Sequence, residues 1–329
     1  MLDVCLLGTG GMMPLPGRWL SALLLRSGGS MMLIDCGEGT QVSLRQAGWG
    51  VSGLDAILLT HLHADHIGGL AGLWHLLAQG ERSAPLMHIG PAGTAHVLRH
   101  LMAALAPRLP YELYVRELQG AERFEAAGFR GASLPVEHSV PCLAYRLEVP
   151  RGRRFQPARA QALGVPLHLW KVLQSGEPVR WEGGAAAPDD VLGPPRQGLA
   201  VAFVTDTRPV PSLVEFVRGV DLLVCEGMYG DPAEAERAVE RGHMTFQEAA
   251  RLAAEAGVRR LWLTHFSPSM TDPAAYLPEA TRIFPAAELG SDGKKLTLTF
   301  AAEDVAGSQT AAVEPRARDD GKDEQAAPA

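Results

Sequence analysis

The chain has 329 residues, 47% hydrophobic, 6% aromatic and 20% charged, a profile that excludes collagen-like, low-complexity and coiled-coil proteins and fits a folded globular domain. Its 37 acidic and 30 basic residues give a net charge of -7, which excludes nucleic-acid binding through uniform basicity and leaves room only for a local basic patch. No run approaches the ~18 apolar residues of a membrane helix, Asp3 stands where a signal peptide would carry positive charge, and Cys5, Cys36, Cys142 and Cys225 show no C-x-x-C spacing, so a cytoplasmic protein with reduced thiols and no disulfide framework is expected.

In chain order, VCLLG at 4–8, SALLLR at 21–26 and MMLID at 31–35 predict paired strands bounded by turn residues. A helical pattern over 40–47 stops at Gly48, and DAILLT at 55–60 predicts a strand buried on both faces that runs straight into His61. Helical periodicity over 67–79 and 92–106 brackets a strand at 86–90, so strands and helices alternate, which implies an α/β fold. LAVAFVTD at 199–206, DLLVCEG at 221–227 and RLWLTH at 260–265 predict three further strands, each ending in a polar residue. Thr245 is placed to cap the helix FQEAARLAAEAG, with Glu248 completing a capping box. Two segments differ. Residues 150–182 carry six basic residues (Arg151, Arg153, Arg154, Arg159, Lys171 and Arg180) against Glu177 and Glu182, a basic insertion in an acidic chain. Residues 303–329 carry seven acidic and three basic residues and no aromatic one, and read as a disordered acidic tail.

The chemistry concentrates in Thr60-His61-Leu62-His63-Ala64-Asp65-His66, an H-x-H-x-D-H run in the loop after a buried strand. Neutral imidazoles and a carboxylate suit zinc, and such sites also accept manganese, iron or cobalt. His61 and His63 can serve one ion while Asp65 and His66 turn to a second. Burying so many imidazoles without metal would leave donors unpaired. His138, Asp206 and His265 each come after an apolar run; singly each reads as a structural residue, and as an ordered set they complete two ligand groups, Asp206 being able to bridge them. Asp35 is expected near the metal loop, either accepting a hydrogen bond from a ligand histidine or capping its turn. His75, His88, His96, His100 and His168 are expected at the surface, Gly8-Thr9-Gly10-Gly11 as a tight turn rather than a nucleotide loop, and Cys225 as inert for want of a base.

With later His138, Asp206 and His265, the run resembles the metallo-β-lactamase superfamily, which implies an αββα sandwich with a dinuclear metal site. More closely, GTGGMMPLP at 8–16, LIDCGEGTQ at 33–41, GLDAILLTHLHADHIGGLAGL at 53–73, TDTR at 205–208 and GHMTFQEAARLAAEAG at 242–257 resemble ribonuclease Z, the endonuclease that trims tRNA 3′ trailers. That resemblance spans about residues 3 to 300. It implies two zinc ions per subunit, one on His61, His63 and His138, the other on Asp65, His66 and His265, with Asp206 between them. Asp65 then serves as general base, while Glu226 and His243 assist the leaving group. It also implies a hydrolase domain over 1–301 with the insertion at 150–195 as an RNA-binding arm, a tail at 302–329, a homodimer, precursor tRNA as partner, and no membrane. RNA contacts are expected from Arg18, Arg151, Arg153, Arg154, Arg159 and Lys171. The sequence departs from the family in three places: Cys225-Glu226-Gly227-Met228 keeps only the Glu of a His-Glu-Ala-Thr motif, Pro16 and Trp19 replace the Lys and Asn of P-x-K-x-R-N, and the arm has Gly164 and Pro166 without an adjacent Gly-Pro pair. Two other functions stay open at this level. One is hydrolysis of a small phosphodiester, sulfate ester or lactone at the same centre; the other is a catalytically silent RNA-binding scaffold, against which the full set of ligands counts.

Overall fold

Short apolar runs form the first strands: β1 (Leu2–Gly8), β2 (Ala22–Ser27), β3 (Ser30–Ile34), β4 (Leu54–Leu58), β5 (Leu86–Pro91) and β6 (Leu113–Leu118). The computed structural model describes residues 1–105 and 108–301. It continues with β7 (Arg123–Ala126), β8 (Phe129–Val136), β9 (Cys142–Arg151), the hairpin β10 (Val179–Trp181) and β11 (Gly184–Ala186), then β12 (Arg196–Val204), β13 (Leu222–Glu226), β14 (Leu261–Thr264), β15 (Ala287–Leu289) and β16 (Lys295–Leu298). The expected acidic tail at 302–329 lies outside the described residues.

Two seven-stranded sheets result, ordered β16-β1-β2-β3-β4-β5-β6 and β15-β14-β13-β12-β9-β8-β7. The first is antiparallel from β16 to β3 and parallel from there to β6; the second is parallel from β15 to β12 and antiparallel beyond. Their inner faces meet in one core, Leu2, Val4, Leu6 and Leu58 against Tyr145, Phe203 and Trp262 among others, and the Tyr145 hydroxyl donates to the Leu59 carbonyl across it at 2.7 Å. On the outer face of the first sheet pack helices Thr40–Ala47, Leu70–Gln79 and Thr94–Leu105; on that of the second pack Ser212–Phe216 and Phe246–Glu255. Alternate residues of each strand thus bury against a sheet and a helix layer, the αββα arrangement.

The helix expected over 67–79 is interrupted. A one-turn helix, Ala64–Ile67, precedes Leu70–Gln79, because the Gly69 N–H leaves the helical ladder for the Cys36 carbonyl at a place where a Cβ would come within 2.2 Å of the Gly37 carbonyl. Backbone bonds Cys36 N to His66 O and Gly69 N to Cys36 O, both 2.8 Å, dock these two loops on each other. β6 to β9 were not anticipated, because charged residues such as Arg116, Arg123, Arg130 and Arg146 break their apolar runs on the solvent side. His88, expected at the surface, is instead fully buried in β5, where its Nε2 accepts a hydrogen bond from the Trp74 indole at 3.1 Å and burial pushes its pKa down to about 4. His75, His96, His100 and His168 are exposed.

The capping box at Thr245 forms as expected: its hydroxyl accepts the Glu248 N–H at 3.3 Å and Glu248 accepts the Thr245 N–H at 2.9 Å. Thr245→Ala should lower stability by about 1 kcal/mol, a fall in Tm of roughly 2 °C in a thermal melt. An unchanged Tm would mean that Glu248 alone carries the cap.

Between β9 and β12 the chain leaves the sandwich and builds a small unit, helices Pro157–Ala162, Trp170–Gln174 and Pro188–Val191 with the β10/β11 hairpin. It has its own apolar centre of Ala160, Val165, Leu173, Val179, Ala186, Val191 and Leu192.

Candidate metal centre

All the candidate ligands leave the same end of the two sheets. His61, His63, Asp65 and His66 come after β4, His138 lies two residues past β8, Asp206 two past β12, Glu226 ends β13 and His265 comes directly after β14. Asp35, Asp206 and His265 sit in left-handed backbone, with φ of 59°, 52° and 57°, so each strand ends in a turn that a non-glycine residue adopts at a cost of about 1–3 kcal/mol. Strain of this kind persists where the surroundings fix it. A threonine precedes each of three ligands, Thr60-His61, Thr205-Asp206 and Thr264-His265, and the Thr205 hydroxyl donates to Asp206 Oδ2 at 2.5 Å.

The side chains converge as two sets. His61 Nε2 is 3.0 Å from His63 Nδ1, which is 3.3 Å from His138 Nε2. His66 Nε2 and His265 Nε2 are 3.2 Å apart, and each is 3.5 Å from Asp65 Oδ2. Asp206 lies between, its Oδ2 at 3.3 Å from both His66 and His265 and its Oδ1 at 3.8 Å from both His61 and His138. With zinc–nitrogen bonds of ~2.1 Å, tetrahedral ligand atoms sit about 3.4 Å apart, so this donor set fits a divalent ion in each group. Bare imidazoles at such spacings, most of them buried, would be stranded.

Electrostatics suits the ligand role. Burial and the neighbouring His66 hold His61 well below its ordinary pKa, keeping it neutral. Burial favours protonation of Asp65 and Asp206, but the facing His265 and His66 outweigh it and hold both carboxyls far below the usual range, so both stay ionised. Asp35, fully buried, does both things expected of it: Oδ1 accepts the Thr60 N–H at 2.8 Å, and Oδ2 lies 2.7 Å from His66 Nδ1. The Thr60 hydroxyl lies 2.9 Å from Asp35 Oδ2 and 3.1 Å from His61 Nδ1, so one carboxylate orients a ligand in each set and fixes Nε2 as the coordinating nitrogen. Asp35→Asn tolerates the same backbone turn and removes only the charge; metal affinity should fall by about 10- to 100-fold in a chelator competition titration. Unchanged affinity would reduce Asp35 to a turn cap.

Beside the two sets lies a second pair. Glu226, fully buried, accepts the Thr207 N–H at 2.6 Å on Oε1 and faces His243 Nδ1 at 2.9 Å with Oε2. Burial lowers the His243 pKa, but Glu226, Asp206 and Asp65 raise it further, pushing it up to about 9. His243 is also within reach of Asp206 and His265, its Nδ1 3.9 Å from Asp206 Oδ1. Sequence reasoning missed several supports. The Met12 N–H donates to Asp65 Oδ2 at 2.7 Å, and Arg208 ties the His243 carbonyl to Glu248 of the helix cap. The tight turn expected over 8–11 is displaced: Gly8 ends β1, Gly10 bridges to Leu20 and Phe266, the chain bends at 11–13, and a Cβ on Gly11 would lie 2.7 Å from the His265 ring. The TDTR string and the glycine pair were the available signals.

The anti-Pycsar protein Apyc1 family model matches residues 2–102 and the β-lactamase superfamily domain model matches residues 173–266. Ribonuclease Z of Lachnoclostridium phytofermentans is 47% identical over 301 residues, 91% of this chain and 99% of its own length. The chain belongs to the ribonuclease Z family. Ribonuclease Z of Clostridioides difficile is 40% identical over the same share of each chain. Among solved structures, the short form of human tRNase Z covers 91% of this chain and all of its own length, with a TM-score of 0.65 and 25% identity. The metallo-β-lactamase fold protein YhfI of Bacillus subtilis, at 22% identity and a TM-score of 0.66, shares the fold.

Of the expected RNA-contacting residues, Arg151 ends β9 and Arg153, Arg154, Arg159 and Lys171 follow it in the inserted unit, while Arg18 lies in the loop before β2. Arg18, in the loop that departs from the family pattern, donates to the Met270 carbonyl at 3.0 Å and lies 5.6 Å from the centre of the Phe266 ring, tying that loop to the segment after His265. The Trp19 ring packs on Gly39, and the Trp19 backbone N–H donates to Asp292 Oδ2 at 2.6 Å. Arg153 pairs with Asp189 and donates to the Gly193 carbonyl within the inserted unit. Arg154, Arg159 and Lys171 are exposed on that unit.

Proposed function

We propose that this endoribonuclease of the metallo-β-lactamase superfamily removes 3′ trailers from precursor tRNA, cutting after the discriminator base to leave a 3′ hydroxyl on the tRNA and a 5′ phosphate on the trailer. The observation that carries the reading is Asp206, which turns one oxygen to each imidazole set while the Glu226–His243 pair stands beside both. His61, His63 and His138 would hold one zinc ion and Asp65, His66 and His265 a second, with Asp206 shared. Bound there, the two ions would supply positive charge for the phosphodiester oxygens and make a water nucleophilic near neutral pH.

The chain's own residues do the rest. Asp65, ionised and held by the Met12 N–H, is the general base that takes the proton of the attacking water. His243, with Nδ1 committed to Glu226, keeps its proton at neutral pH and delivers one from Nε2 to the departing 3′ oxygen. The inserted unit, with Arg151, Arg153, Arg154, Arg159 and Lys171, contacts phosphates rather than base edges, and Arg18 sits at the loop nearest the RNA 3′ end. In a homodimer, the arm of one subunit would present RNA to the site of the other. No helix among the described residues is long and apolar enough to cross a membrane.

The test is cleavage of a 3′-extended precursor tRNA mapped at nucleotide resolution, with chelator-treated protein as control. A single metal-dependent cut after the discriminator base is expected. Hydrolysis of a small phosphodiester with the precursor left intact would overturn the substrate assignment and leave the metal chemistry standing.

A further inference from the structure

At the foot of the inserted unit lies a groove of about 840 Å³ whose charged lining is Arg130, Arg151, Arg153 and Arg196 against Glu148 and Asp189. The chain's last described residues run to this place. Arg151 Nη1 donates to the Ala301 carbonyl at 3.0 Å, and its guanidinium stacks 5.0 Å from the centre of the Phe300 ring. Beyond Ala302 the sequence turns acidic, residues 303–329 carrying seven acidic side chains against three basic. An acidic stretch thus begins at the wall of a groove whose charged side chains are mostly arginine. A chain of that length spans roughly 30 Å on average if unstructured, enough to cover the groove and the adjoining arm. Its tethering makes the local concentration of the segment about millimolar, so even weak attraction fills the site.

We propose that the acidic segment 303–329 docks in this arginine-lined groove and competes there with RNA phosphates, weakening the hold on precursor tRNA without touching the metal centre. The competition rests on the reading of the inserted unit as the RNA contact; the docking itself does not. Both competitors are polyanions, so the attraction is electrostatic, non-specific in sequence and relieved by salt.

The experiment compares the full chain with a full-length variant in which the seven acids are neutralised (Glu303→Gln, Asp304→Asn, Glu314→Gln, Asp319→Asn, Asp320→Asn, Asp323→Asn, Glu324→Gln). KM for a 3′-extended precursor tRNA should fall about fivefold at low salt and the difference should vanish at high salt, while hydrolysis of bis(p-nitrophenyl) phosphate stays the same. In protein that also carries Arg130→Glu and Arg153→Glu, the two tails should give the same KM. Equal KM values for the two tails in the native groove would overturn the proposal, as would a tail effect that survives charge reversal of the groove, since that would be general repulsion of RNA. A labelled peptide of residues 303–329, titrated into the neutralised-tail protein by fluorescence anisotropy, separates docking from function. Binding lost in the charge-reversed groove upholds docking even if neither form cuts tRNA, and no binding overturns it.

Discussion

Replacing Asp206 with Ala should reduce bound metal from two ions to at most one per chain and lower kcat/KM on precursor tRNA by at least about 10³-fold, some 4 kcal/mol of transition-state stabilisation. The reason is that this buried carboxylate faces His66 and His265 with one oxygen and His61 and His138 with the other. Its loss removes the carboxylate that, among the described residues, faces both sets, and leaves His61 and His138 without it while Asp65 still faces His66 and His265. Asp206 also has φ of 52°, where alanine adds strain of roughly 1 kcal/mol. Asp206→Asn separates the two effects, because Asn accepts that backbone turn: it should melt like the parent and still lose metal. Metal analysis beside single-turnover cleavage reads both quantities. An Ala variant that keeps two ions and full activity would remove Asp206 from the account.

His243→Ala should lower kcat on precursor tRNA by about 10²- to 10⁴-fold with little change in KM or metal content. Its Nδ1 is engaged by Glu226 at 2.9 Å, which marks it as a proton carrier rather than a ligand. Against burial, Glu226 raises the His243 pKa to about 9, and two nearby dications would draw it back toward neutrality. The proton is present below that pKa and lost above it, so kcat should decline on the alkaline side in the parent and lose that limb in the variant. A substrate with a good leaving group, such as bis(p-nitrophenyl) phosphate, needs no acid and should be cleaved equally by both. An equal loss on both substrates, with metal released, would make His243 a ligand instead.

The candidate metal site was legible because its candidate ligands are chemically unusual and sit at the ends of apolar runs. His61, His63, Asp65 and His66 fall in one loop, Asp206 and His265 each come after a strand that hydrophobicity alone marks, and His138 was picked out by the short apolar LPV run before it although its strand, β8, was not. The helix over 40–47 and the Thr245 capping box were legible for similar local reasons. What stayed hidden depends on distant parts of the chain. The backbone of Met12 meets Asp65, Thr60 relays Asp35 to His61, and Gly69 meets Gly37; none of these has a local signature. β6 to β9 were missed because charged side chains such as Arg116, Arg123, Arg130 and Arg146 interrupt the apolar runs that marked the other strands. His88 was misplaced because a histidine in a strand covered on both faces is kept neutral by burial and finds its hydrogen-bond donor in the Trp74 indole, neither of which has a local signature.

Stepwise return of zinc to chelated protein, with single-turnover cleavage of a 3′-extended precursor tRNA measured at each addition, tests the central claim most directly. Activity should stay low through the first equivalent, rise with the second and level off at two per chain, with every cut after the discriminator base. Full activity at one equivalent, or none at two, would contradict an endonuclease built on two ions that share Asp206.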